Sequence, residues 1–295
     1  MSNEKLTDHQ QKVAEILQAV EAAQQLQDDI LKYGLDAAPL YIEDVDGDWW
    51  ETWGEDEEEQ PTFVESAKEI KNRLKALQKE ASSIDSNLAK RLDEVNCWVK
   101  DVKLGSLTSK KFVMFFLQQM IGDAQIWLDI KAQTSEEERQ LYYQQMTAVE
   151  RYWYSDLFPK WLEQNDSKFL IWKQKLMAGE FSQSDTMLLQ SIATEVVRRE
   201  GTFWQCYIAD LSMATDIIVS NKQQNPLCSQ ITSLSEEFSQ EKYDDWKNTL
   251  QHWGIERGLF LSYNPNTIDG INQIVNVVLY NSDRLGASVY LKFNL

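Results

Sequence analysis

The sequence predicts a mainly α fold: a multi-helix bundle with a small C-terminal antiparallel β element, α+β in class. Three observations carry this. The chain has 11 glycines and 5 prolines in 295 residues, roughly 5% against a usual ~12%, so turns are few and helices long. The residues AVILMFWYC make up 43%, enough for a real core and too much for a disordered chain. Apolar residues recur at three- and four-residue steps until the C-terminal end, where β-branched and aromatic runs replace them.

Each element has its own signal. Residues 4–33 read as a helix, with Val13, Ile16, Leu17, Val20, Ala23 and Ile30 on one face and Gly34 as its stop. Residues 36–60 read as a long acidic loop. Pro61 and Thr62 open the next helix, whose seam runs Ile70, Leu74, Leu77, Ala81, Ile84, Leu88, Leu92, Val95, Val99, Val102. A hairpin with the first helix is its simplest use, or pairing with a second copy. Ser82, Ser83 and Asp85 offer a break into two helices. From Thr108 or Ser109 a very apolar helix runs to Ala132; Gln118, Gln119, Asp123, Gln125 and Asp129 interrupt its apolar stretch. That makes it a buried helix and not a membrane span, which needs ~20 mostly apolar residues.

Ser135 with Glu138 is a capping box and opens a helix over 136–157. Pro159 starts another through Met177. A helix is expected over 184–221, with Gly201 as a point of kink or break, and short helices over 229–256. GLFLSY, IVNVVLY and ASVYLKFNL then read as terminal strands, with NSDRLG as turn chemistry between the last two. The expected regions are 1–105, a helical hairpin with its acidic loop; 106–256, a helical bundle; and 257–295, a β-rich element packed on the bundle.

Charge narrows the function classes. Lys and Arg number 29 and Asp and Glu 47, a formal net charge of −18 and a pI near 4.6. Phosphate backbones repel such a chain, and no dense basic stretch offsets this, so direct nucleic-acid binding and adsorption to anionic membranes are not expected. Three widely spaced cysteines, Cys97, Cys206 and Cys228, suit reduced thiols in the cytoplasm better than a disulfide framework or a zinc site. The N-terminal MSNEKLTDHQQK carries no secretory pattern.

The region of odd composition is residues 36–60, with eleven acids and no Lys or Arg. It also holds Trp49, Trp50 and Trp53. Tryptophan anchors interfaces by burying a large area with few rotamers, and surrounding acids speed encounter with a basic surface. The expected partner is therefore a protein with a basic, partly apolar surface. The binding residues would be Trp49, Trp50, Trp53, Asp44, Asp46, Asp48, Glu55, Asp56 and Glu57. The alternative is that the three indoles pin the loop to its own helices.

The same segment spaces Asp44, Asp46, Asp48 and Glu55 like positions one, three, five and twelve of a calcium loop, but Trp49 stands where that loop needs glycine. No metal or cofactor is expected. Catalysis finds little support. The chain has two histidines, His9 and His252, and no nucleophile-elbow, zinc-protease or P-loop motif. An enzyme would need Cys206 or Cys228 beside His252, or scattered carboxylates such as Glu136, Glu137, Glu138, Glu195 and Glu200. The tyrosines and tryptophans of 142–161 suit a core or a pocket for a flat ligand. A nucleic-acid mimic is disfavoured, because outside residues 36–60 the balance is only 36 acids to 29 bases. The leading expectation is an acidic helical interaction protein: an adaptor, inhibitor or immunity-type binder.

Overall fold

The computed structural model describes residues 60–295, apart from residues 101, 109, 179–182, 234–235 and 266–269. The first expected helix and the acidic segment up to residue 59 lie outside the described residues. The described chain is mainly helical, with a five-stranded sheet toward the C-terminus.

The long seam breaks where serines and an aspartate offered it: α1 spans Gln60–Ile84 and α2 spans Ser86–Lys100. Asp85 sits at the break. Its Oδ1 accepts the backbone N–H of Asn87 and Leu88 at 2.9 and 3.1 Å, which caps α2. Its Oδ2 accepts Trp127 Nε1–H at 3.0 Å. Burial works to raise the Asp85 pKa, but these hydrogen bonds and nearby Lys131 outweigh it and hold the carboxyl below its ordinary value. Ile70, Leu74, Leu77, Ala81 and Leu88 are buried inside the chain, and Ile84 is exposed; α1 packs on α2 and on α4, introduced next.

A short α3 (Leu104–Thr108) leads to α4 (Lys111–Ala132), the apolar helix ending where expected. Residues 136–157 make three elements where one was expected. These are α5 (Glu136–Gln144), α6 (Ala148–Tyr152) and a π-helical turn over Trp153–Leu157. Both capping boxes are formed, Ser135 with Glu138 and Thr147 with Glu150, so a second cap restarts the helix after the first. The chain continues as α7 (Phe158–Glu163), with Pro159 in its first turn, and α8 (Phe169–Ala178).

The expected helix over 184–221 holds only to α9 (Gln183–Arg198). It stops at Arg198, three residues before Gly201, where a Cβ would meet Leu279 Cδ2 at 2.8 Å. Then come β1 (Thr202–Trp204), α10 (Tyr207–Met213), β2 (Ile217–Ser220), β3 (Leu227–Thr232), α11 (Glu236–His252), β4 (Gly258–Ser262), α12 (Gly270–Arg284) and β5 (Tyr290–Asn294). The run IVNVVLY is therefore helix, not strand. Its Ile274, Val275, Val277, Val278 and Leu279 are buried on the face α12 turns inward, so packing overrides β-branched propensity.

The sheet order is β1-β2-β3-β4-β5. The antiparallel pairing expected of the C-terminal strands does not form: β4–β5 is parallel, as is β3–β4, while β1–β2 and β2–β3, in stretches expected to be helical, are antiparallel. Parallel neighbours need crossovers, and α11 and α12 supply them. That requirement is the physical reason a helix lies between the last two strands. The sheet thus draws strands from both sides of residue 257.

The sheet separates two apolar clusters. On one face Ile218, Cys228 and Phe260 join α11 through Trp246 and Leu250, and join the bundle beyond. On the other, Val219, Leu227, Leu259 and Leu261 pack on α9 and α12. Both crossovers step the same way across the sheet, yet they cover opposite faces. They therefore have opposite hands, and one of them departs from the right-handed rule.

Candidate functional site

Every residue of the expected partner-binding set, and the calcium-like spacing within it, lies in 44–57 and so outside the described residues. Among the described residues no group of three or more His, Cys, Asp or Glu is placed to hold a metal ion, and no helix is long and apolar enough to cross a membrane.

The thiol–imidazole pair does not take the form a nucleophile needs. Cys206 is fully buried at the start of α10, where its Sγ accepts Ala209 N–H at 3.4 Å. Burial first, then the nearby Asp123 charge, pushes this thiol well above its ordinary range. An activated cysteine requires the opposite shift. His252 is exposed at the end of α11, its ring against Trp253. Cys228 is likewise buried, its thiol pushed up to about 12 by desolvation. Cys97 is exposed.

Three of the carboxylates named from the sequence, Glu136, Glu138 and Glu195, have structural work. Glu136 holds Arg139 and Gln140 within its own helix, and Glu138 closes its capping box. Glu195 accepts from Arg198 and Arg199, while Arg199 also reaches Asn272 Oδ1 at 2.7 Å on α12. The aromatic run resolves as core: Trp153, Tyr154 and Trp161 are fully buried, and Tyr142 and Tyr143 are half-buried on α5.

Two buried acids were visible in the sequence only as a break in an apolar run and a loop residue. Asp166, between α7 and α8, gathers three donors on Oδ2: Trp161 Nε1–H at 3.1 Å, Trp172 Nε1–H at 3.3 Å and Ser212 O–H at 2.5 Å. Its Oδ1 accepts Lys168 N–H at 2.9 Å. It is a satisfied node tying α7, α8 and α10 together.

Asp123, in the middle of α4, is different. Its Oδ1 accepts Trp153 Nε1–H at 3.2 Å and Tyr154 O–H at 2.9 Å. Its Oδ2 is buried with no hydrogen-bond partner. Desolvation pushes its pKa up to about 7, against the lowering effect of the two donors. The π turn explains how neighbouring side chains reach one carboxyl: its wider coil turns both Trp153 and Tyr154 inward. The signal in the sequence was an acid inside an apolar helical stretch, a placement that needs a physical reason.

Compared with family models, curated proteins and solved structures, the chain matches none of them.

Proposed function

We propose that this chain is a non-catalytic interaction protein that engages a basic, partly apolar protein surface through residues 36–60. The observation that carries the reading is the concentration of charge and indoles in one segment. Residues 36–60 hold eleven acids, no Lys or Arg, and Trp49, Trp50 and Trp53. The remaining eight tryptophans are all packed into or against one core, and Glu136, Glu138 and Glu195 serve a cap and ion pairs. The acids set the encounter rate with a cationic surface, and the indoles set the lifetime of the complex. Thiols outside any disulfide fit a cytoplasmic setting.

Deletion of residues 43–59 tests the reading. In an affinity pull-down under reducing conditions, the full chain should retain a basic protein, with retention falling as salt rises. The deleted chain should lose at least about tenfold of that retention, as expected when interface tryptophans are removed. Undiminished retention by the deleted chain overturns the proposal.

A further inference from the structure

Asp123 is the described acid whose surroundings call for an explanation beyond packing. It lies on the same face of α4 as Gln119, one turn earlier. Gln119 grips the connection that follows β1: its Nε2–H donates to Gln205 O at 3.1 Å, and its Oε1 accepts Tyr207 N–H at 2.8 Å. Asp123 takes both of its donors from the π turn, and the Tyr154 ring bears edge-on against Trp204 of β1 at 5.9 Å. So one face of α4 clasps the π turn on one side and the first strand of the sheet on the other.

The groups facing Asp123 are Tyr154 from the π turn and Cys206 from the start of α10, with Glu150 of α6 acting on Tyr154. Burial raises both the phenol and the thiol well above their ordinary values, so neither titrates near neutrality. Among the described residues no Lys, Arg or His forms an ion pair with Asp123. A charge on this carboxyl would be met by two donors on one oxygen and by nothing on the other. A buried ion so poorly compensated is costly.

We propose that Asp123 is a proton-controlled clasp: protonated, it holds α4, the π turn and β1 together, and on losing its proton it admits water to Oδ2 and loosens that junction. The proton leaves to solvent as the junction opens, and returns when it closes. The device is built from one acid on α4 and one π turn, and it acts where the bundle meets the sheet edge.

Hydrogen exchange on the full chain tests this, read as protection factors corrected for the intrinsic pH dependence of exchange. Amides of residues 153–157 and 202–213 should lose protection between pH 5 and pH 8. An ordinary carboxyl pKa in the open state and about 7 in the closed state imply a fall of roughly 100-fold. In Asp123→Asn the same amides should show no such fall. Equal losses in both proteins overturn the proposal. Should the variant not fold, carbon NMR of the Asp123 carboxyl in the unaltered chain decides: titration near 7 with loss of protection at the same pH supports the clasp, and titration near 4 overturns it.

Discussion

Asp123 and Asp166 are both buried aspartates beside tryptophan indoles, and the same substitution should act on them in opposite ways. Asp166 has donors on both oxygens. Asp166→Asn turns one acceptor edge into an N–H facing donors, which should cost about 1–3 kcal/mol. For Asp123 the sign depends on pH. Its folded pKa, about 7, lies above the ~4 of an unfolded aspartate, so its contribution is fully present below pH ~4 and lost as pH rises through 7. The whole loss is on the order of 4 kcal/mol. Asp123→Asn removes that slope. Urea unfolding at pH 4.5 and pH 8 should show the variant gaining on the unaltered chain as pH rises, whereas Asp166→Asn should be destabilised at both values.

At the scale of elements, docking of α11 on the sheet depends on one missing side chain. A Cβ at Gly258 would lie 2.6 Å from Leu250 Cδ1 and 2.7 Å from Trp246 Cζ2. Gly258→Ala should therefore push α11 off β4, costing about 1–3 kcal/mol, seen as a lower urea midpoint with a disturbed tryptophan signal from Trp246. Elements also differ in how far the sequence could disclose them. Capping chemistry was legible: Ser135 and Glu138, Asp85 between two helices, and Pro159 in a first turn all stand where local rules put them. The sheet was not. β1 has three residues and β2 has four, too short for periodicity to separate them from helix. α12 is rich in valine and isoleucine, and only its role as a crossover between parallel strands makes it helical. The buried acids were equally hidden, because nothing local in the sequence announces that Trp153 and Tyr154 will share one carboxyl.

For the whole molecule, the decisive feature is that the two apolar clusters meet at one sheet, with Phe260 belonging to one and its neighbours Leu259 and Leu261 to the other. Alternating residues of a single strand cannot leave one core without disturbing the other. The described part should therefore unfold as one cooperative unit and not as separate helical and β-rich pieces. The distribution of indoles makes this measurable. Trp98, Trp127, Trp153, Trp161, Trp172, Trp204, Trp246 and Trp253 all belong to the bundle-side cluster, and among the described residues the α9–α12 side has no tryptophan. With Trp49, Trp50 and Trp53 replaced by Phe, fluorescence reports one side of the sheet, while far-ultraviolet circular dichroism reports both. Leu261→Ala opens a cavity on the side without tryptophan and should cost about 2–5 kcal/mol. If the sheet couples the two cores, this substitution lowers the fluorescence and dichroism midpoints by the same amount. A dichroism transition that moves while fluorescence stays in place would show that the bundle and the C-terminal layer fold independently.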